Sequence, residues 1–365
     1  MTLINPPSAA LALSLALFSV SAHAQDLTIN AGETYTNTGT LTNNGTLNNI
    51  GTLNNSGTLD NNVGAALYNN VGAALTNDGT LNNDGTINSL GTLTNNAGSA
   101  MQSNFLANAG LLINKVTLTN TGILTNIDDG TLTNDGTLTN DGTLNNVGTM
   151  TNNGILNNNG GSNFNVAGGV VNLNGTLNNF GRVNITAGTV DATTIWSEDG
   201  TFNFNGGTLN MDTFIGDLNI TGGTLGPGHS PGTSTIIGDY SKDEFSTLLI
   251  EIAGTMASSE YDVLNVTGDA SLNDGVLRLD LLDGFAPVIG DAFVILESAN
   301  ILGAFDGIYS TTALGEGLRW ELEYDINPIG DDFVTARVSA VPVPAALWLF
   351  GSGLGLLGWM RRKPA

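Results

Sequence analysis

A six-residue repeat in the first half of the chain restricts the fold more than any other feature. Gly-Thr-Leu recurs with its glycine at positions 39, 45, 51 and 57, then at 79, 85 and 91, and then at 130, 136, 142, 148 and 154, with occasional methionine or isoleucine substitutions. The unit continues with Thr or Asn, then Asn, then a variable residue. An eight-residue variant, Val-Gly-Ala-Ala-Leu-x-Asn-x, occupies 63–70 and 71–78. Repetition at so short a period is typical of a solenoid.

The period of the repeat distinguishes a strand from a helix. Six residues turn an α-helix by about 600°, so successive leucines would lie on three different sides and form no apolar face. On a strand, six is an even number, so every leucine points to the same side. A glycine in each unit would also cost a helix about 1 kcal/mol. The repeat therefore excludes an α-solenoid and predicts a β-solenoid.

We expect each unit to form a short strand centred on leucine, followed by an Asn-x-Gly corner that tolerates positive φ. Three units, about 18 residues, would close one triangular coil with three leucines inside and with corner asparagines hydrogen-bonded between coils. No proline occurs between Pro7 and Pro227, which suits long parallel ladders. Residues 25–225 are thus predicted to form a parallel β-helix of about ten coils, on the order of 50 Å long.

Two alternatives to this architecture remain open. Asn-Gly-Thr tracts are compositionally simple and occur in disordered chains, although a large aliphatic residue at a fixed even interval argues against disorder. The repeats resemble the passenger regions of autotransporters and of filamentous haemagglutinin-like adhesins, and this resemblance implies a right-handed coil. A left-handed hexapeptide helix is the alternative.

Residues 226–340 are predicted to form a C-terminal β region that caps the solenoid. From about residue 163 the hexads give way to longer strands in which apolar residues alternate with asparagine. Residues 223–232 resemble the LGPGxSPG segment of autotransporter passengers. Of the 33 acidic residues, 24 lie beyond residue 176. Longer and more varied strands at one end of a solenoid suit a cap over its last open edge.

The N-terminus has the pattern of a secretory signal peptide, residues 1–24. An apolar run from Ala9 to Val20 is followed by Ala22-His23-Ala24, the small-x-small pattern that signal peptidase cleaves. We therefore expect cleavage between Ala24 and Gln25. No Lys or Arg precedes the run, and a buried N-terminal helix is the alternative.

The C-terminus, residues 341–365, has three consecutive parts. Val341, Pro342, Val343 and Pro344 come first, an uncharged apolar stretch extends to residue 360, and Arg361, Arg362 and a lysine follow. Eighteen residues of helix span about 27 Å, enough for one transmembrane helix. Because basic residues stay on the cytoplasmic side, the body would lie outside that membrane.

This arrangement resembles the PEP-CTERM sorting signal, with Val343 where glutamate is usual. The resemblance implies a Gram-negative bacterium that makes exopolysaccharide, and an exosortase-type membrane enzyme that cuts near Pro-x-Pro. The chain would pass through an inner-membrane intermediate and then reach the cell surface or extracellular matrix. A single-pass anchor that is never cleaved is the alternative.

Composition limits the chemistry. The chain has no Cys and two His, of which only His229 would survive signal cleavage, and its net charge of −24 argues against nucleic acid as a partner. Lys115 and Arg182 stand apart in sequence, and Asp135 and Asp141 recur at the corner position of solvated turn residues. We predict no catalytic residue, no metal site and no cofactor. Calcium on acidic turns such as 128–129 is the alternative, although no EF-hand loop occurs.

The sequence therefore favours a structural protein of the cell surface or biofilm matrix. One alternative is a surface adhesin that binds exopolysaccharide or other cells. The other is an enzyme that acts on polysaccharide, since parallel β-helices can carry such sites.

Overall fold

The computed structural model describes residues 22–342, with side chains from residue 26. This part of the chain is all-β and contains no helix, and it forms a parallel β-solenoid of about 11 turns. The predicted β-solenoid is therefore confirmed. The predicted transmembrane helix falls in residues 343–360, outside the described residues. Within 22–342 the search for a helix long and apolar enough to cross a membrane found none.

The strands are short, and most of them contain four residues in the first half of the chain. In chain order they are β1 Ala22–Ile29, β2 Thr34–Asn37, β3 Thr40–Asn49, β4 Thr52–Asn55, β5 Thr58–Asn61, β6 Ala66–Asn69, β7 Ala74–Asn77, β8 Thr80–Ser89, β9 Thr92–Asn95, β10 Ala100–Asn108, β11 Leu111–Asn114, β12 Thr117–Asn126, β13 Thr131–Asn134, β14 Thr137–Asn140, β15 Thr143–Asn146, β16 Thr149–Asn152 and β17 Ile155–Asn158.

Longer strands follow. They are β18 Asn163–Asn179, β19 Arg182–Trp196, β20 Thr201–Phe204, β21 Thr208–Ile215, β22 Leu218–Ile220, β23 Gly223–Pro227, β24 Thr233–Ile237, β25 Tyr240–Lys242, β26 Ser246–Ile252, β27 Val263–Asn273, β28 Val276–Leu281, β29 Ala292–Ala304, β30 Gly307–Ser310, β31 Leu318–Asp325 and β32 Asp332–Ala340.

Three stacks of aliphatic side chains fill the interior, one for each face of the triangular coil. Each residue of a stack pairs in parallel register with its counterpart one turn on. One stack comprises Leu41, Leu59, Leu81, Met101, Leu118, Leu138 and Leu156. All of these are at most 1% exposed. The predicted coil with three inward leucines is confirmed, and the eight-residue units lengthen individual turns without breaking the stack.

The asparagine two residues after each leucine also points inward. The Thr-Leu-x-Asn strands alternate half-buried and buried positions, so leucine and asparagine share the interior face. Members of this set such as Asn43, Asn55 and Asn77 are 0% exposed. The predicted ladders between coils are therefore present. Their asparagines lie inside the solenoid, where an even interval from leucine must place them.

From β18 to β22, apolar residues occupy, on two of the three faces, the inner positions that asparagine held in the first half. Asn146 pairs with Val166, and Asn152 pairs with Leu173, so aliphatic residues take over the inner positions that asparagine held. The change coincides with the loosening of the hexads near residue 163. One continuous buried cluster nevertheless extends from Ile29 to Val338.

The parallel pairing continues past residue 225 and ends in an antiparallel hairpin. β23 pairs with β26, β26 with β28, and β28 with β30, all in parallel. β32 then pairs antiparallel with both β29 and β31. Phe293 packs edge-to-face against Tyr261 and Trp320, with ring centroids 5.2 and 5.8 Å apart. The hairpin thus covers the edge of β29 on one face of the last turns.

Candidate functional site

The buried asparagine ladders hold successive turns together. Asn55 accepts a hydrogen bond from Asn37 Nδ2 at 2.7 Å, and its own Nδ2 donates to Asn77 Oδ1 at 2.7 Å and to the Thr80 carbonyl at 2.8 Å. The Asn55 amide therefore bonds a neighbouring amide and a main-chain carbonyl of the next turn. The ladder that contains Asn55 comprises Asn37, Asn55, Asn77, Asn95, Asn114, Asn134 and Asn152.

A second set of asparagines forms ladders on the outside, with the opposite direction of donation. Inside, Nδ2 donates to the turn that follows, as from Asn37 to Asn55 and from Asn55 to Asn77. Outside, Asn184 Nδ2 donates back to Asn165 Oδ1 at 2.7 Å, and Asn203 Nδ2 donates back to Asn184 Oδ1 at 2.8 Å. The amide dipoles of the two sets oppose one another. Both sets tie neighbouring turns together along the axis of the solenoid.

The carboxylates of the repeat region take part in the outer ladders. Asp135 Oδ1 accepts a hydrogen bond from Asn153 Nδ2 at 2.8 Å, and Asp141 Oδ1 accepts one from Asn159 Nδ2 at 2.6 Å. The two carboxylates lie at successive corners, after β13 and after β14, and each has its own amide partner. Lys115 Nζ lies 3.3 Å from Asn96 Oδ1 at another corner. These side chains are not brought together.

The loop around His229 places two exposed polar pairs side by side. His229 Nδ1 lies 2.9 Å from Asp212 Oδ1. The Ser230 hydroxyl donates instead to the Glu251 carboxylate. Histidine and serine therefore have different acidic partners, and no Ser-His-Asp relay forms. Within residues 22–342 no cluster of three or more His, Asp or Glu side chains is arranged to hold a metal ion.

Asp262 is a buried carboxylate that sequence reasoning did not identify. Its Oδ1 accepts from the Gly232 N–H at 2.6 Å, and its Oδ2 accepts from the Glu251 N–H at 2.8 Å. Burial raises the pKa of Asp262 to about 7; the two backbone donors act against this rise, and the charge of Glu251 adds to it. The carboxylate fastens the loop to β26. The sequence signal for this burial was the position of Asp262, an acidic residue between Tyr261 and the apolar run that follows.

Lys242 is the second buried charge that the sequence did not reveal. It is 1% exposed, and it points inward between Ile220 of the preceding turn and Leu272 of the next. Its Nζ donates to the carbonyls of Asp274 at 2.8 Å and Asp243 at 3.3 Å. Burial lowers the pKa of Lys242 to about 8, against the raising effect of the two nearby aspartates. The Lys242 ammonium therefore bonds a main-chain carbonyl of the next turn, as the buried asparagine amides do in the first half.

The residues of the two predicted processing sites are described only in part. Ala24 lies in β1 and pairs with Asn43, and Gln25 falls at a register irregularity between Ala24 and Asp26. The predicted signal cleavage would thus cut within β1. At the other end, Val341 and Pro342 are exposed directly after β32, and the Val341 N–H donates to the Gly317 carbonyl at 2.8 Å. Val343, Pro344, Arg361 and Arg362 lie outside the described residues.

Comparison with known proteins adds no relative. No family model matches the chain, and a search of curated proteins found no match.

Proposed function

We propose that this chain is an exported structural protein that forms a stiff rod at the cell surface or in the extracellular matrix. The observation that carries the proposal is the continuous core from Ile29 to Val338, tied from turn to turn by amide ladders. In such a core each added turn lengthens the molecule along its axis by about 4.8 Å. About 11 turns would give a rod on the order of 50 Å long.

Sorting through the C-terminal signal is part of the same proposal. The chain would enter the envelope by its signal peptide, pause in the inner membrane on a helix within residues 343–360, and be cut near Pro342 by an exosortase-type enzyme. The exposure of Val341 and Pro342 just beyond the last strand supports access for such an enzyme. We also propose a right-handed coil, on the strength of the resemblance to autotransporter passengers, and a crystal structure would test this.

Export and processing can be tested in a Gram-negative host that makes exopolysaccharide, with and without its exosortase gene. We expect the surface form to lack the C-terminal segment when exosortase is present, and the full chain to accumulate in the inner membrane when it is absent. Replacing Arg361 and Arg362 by glutamine should reproduce the second result, whereas Lys115→Gln should not. Identical location and mass in both hosts would contradict the sorting proposal.

The structural role can be tested by removing one whole turn. Thr131 pairs with Thr149, so deleting residues 131–148 removes one turn and joins two positions that already stack. A rod should fold and reach the surface without this turn, because each turn contacts only its neighbours. Deleting only 131–139 would break the three-sided register and should abolish surface display. Equal display of both deletion variants would refute the role of the stack.

A further inference from the structure

A groove on the side of the solenoid arises from stacked corners of unequal length. Between β17 and β18 the corner comprises residues 159–162, between β18 and β19 it comprises only 180–181, and between β19 and β20 it comprises 197–200. The short corner is thus recessed between two longer ones. The lining of the groove includes Ser162, Phe180, Arg182 and Asp199.

Arg182 supplies an unpaired guanidinium to this groove, whose other charged side chain is Asp199. Its guanidinium has no hydrogen-bond or ion-pair partner among residues 22–342. Every other cation in that range has one. These are Lys115 on Asn96, Lys242 on two carbonyls, Arg278 on Asp280, Arg319 on Glu321 and Arg337 on Glu323. In a chain of net charge −24, a free guanidinium in a groove is the exception.

One further side chain in the groove offers an apolar contact to a ligand. Phe180 is 46% exposed and offers an apolar surface at the short corner. Ser162 also lines the groove, but it is 2% exposed and its Oγ is buried, so that hydroxyl is not open to a ligand. On the adjoining face Trp196, 42% exposed, pairs in register with Asn178 of the preceding turn.

The backbone around the groove is already paired, so a strand cannot add to it. The N–H groups of Phe180 and Gly181 both donate to the Asn158 carbonyl, and the Arg182 N–H donates to the Ser162 carbonyl. Recognition must therefore come from side chains. A peptide that binds by strand addition is disfavoured.

We propose that this groove binds an oligosaccharide that contains uronic acid. The Arg182 guanidinium would pair with a sugar carboxylate, a geometry that its planar fork matches. A sugar ring would pack on Phe180, while the Asp199 carboxylate accepts hydrogen bonds from its hydroxyls. This site goes beyond the proposed structural role and does not depend on how the chain is sorted.

Titration calorimetry on the full purified chain tests the site. The probes are tetramers of galacturonic, glucuronic and mannuronic acid, the methyl-esterified galacturonate tetramer, and tetraglutamate. We expect at least one uronate tetramer to bind, with affinity that falls as salt rises. The methyl ester should bind at least tenfold more weakly, since it lacks the charge that Arg182 recognises. Tetraglutamate should bind far more weakly than that uronate.

Three variants locate the binding. Arg182→Gln should weaken the uronate at least tenfold, and Phe180→Ala should also weaken it, while Lys115→Gln should bind like the wild type. Arg182→Lys should give an intermediate loss, because it keeps the charge without the fork. The proposal is overturned if no uronate binds, if Arg182→Gln keeps full affinity, or if the ester binds equally well. Equal binding of tetraglutamate would instead make an acidic peptide the occupant, and it would also overturn the proposal.

Discussion

Replacing Asn55 with alanine would interrupt a buried amide ladder near its N-terminal end. The substitution removes three hydrogen bonds, one accepted from Asn37 and two donated to Asn77 and to the Thr80 carbonyl, all between 2.7 and 2.8 Å. Asn37 Nδ2 keeps a second acceptor, the Thr58 carbonyl at 2.7 Å. Asn77 Oδ1 loses the bond that Asn55 donates, at a depth that water does not reach.

The magnitude follows from these contacts. A net hydrogen bond contributes about 1 kcal/mol, and a buried polar group left unpaired costs about 1–3 kcal/mol. Three lost bonds with one orphaned acceptor therefore predict that Asn55→Ala lowers the free energy of unfolding by about 4–6 kcal/mol. The neighbouring Asn54→Ala is a matched control, since Asn54 is half-buried, faces outward and has no side-chain hydrogen bond among the described residues. It should change stability by less than about 0.5 kcal/mol.

Urea unfolding followed by circular dichroism measures both variants. We expect a lower midpoint with an unchanged slope for Asn55→Ala, and a wild-type curve for Asn54→Ala. If the two variants lost stability equally, the inward asparagines would not be the groups that hold the turns together.

Three further predictions use the same measurement. Gly57→Ala should destabilise by about 3 kcal/mol, because its Cβ would lie 2.0 Å from the glycine carbonyl oxygen one turn earlier, whereas Gly307→Ala, with open space, should not. The raised pKa of Asp262 means that the folded state binds more protons than the unfolded state between about pH 4 and 7. Its contribution to stability should therefore fall as pH rises through that window, by up to about 1.4 kcal/mol per unit, and a difference curve against Asp262→Asn that is flat in pH would disprove this. Phe293→Ala should lower the free energy of unfolding by about 4 kcal/mol, because it leaves a cavity in the aromatic cluster. Phe245 is 72% exposed, so Phe245→Ala should leave stability unchanged. Equal losses would contradict the role of that cluster.

The even interval of the repeat was enough to predict that the leucines in the first half of the chain point into the solenoid. Leu41, Leu47 and Leu53 are six residues apart, and all three are buried as parity requires. The same parity applies to Asn43, two residues after Leu41, but its polarity favoured an exposed corner. Polar side chains are mostly exposed, and these asparagines are buried because hydrogen bonds to the neighbouring turns satisfy most of their amide groups.

Features that depend on how the turns stack could not be predicted from the sequence. The groove at Arg182 exists because a corner of two residues lies between longer ones, and corner lengths can be compared only once the register is known. The burial of Lys242 and Asp262 was missed for a similar reason, since each has a main-chain partner about 30 residues away in sequence. The Asp274 carbonyl, for example, is 32 residues from Lys242.

Distances between spin labels test the central claim of in-register stacking most directly. The chain has no cysteine, so pairs can be introduced cleanly. Thr42 stacks through Asp60, Asn82, Gln102 and Thr119 onto Thr139, five turns away. We predict about 24 Å between labels at 42 and 139, and about 34 Å between labels at 42 and 178, seven turns away. Broad distributions, or distances that do not grow by about 4.8 Å per turn, would contradict the solenoid.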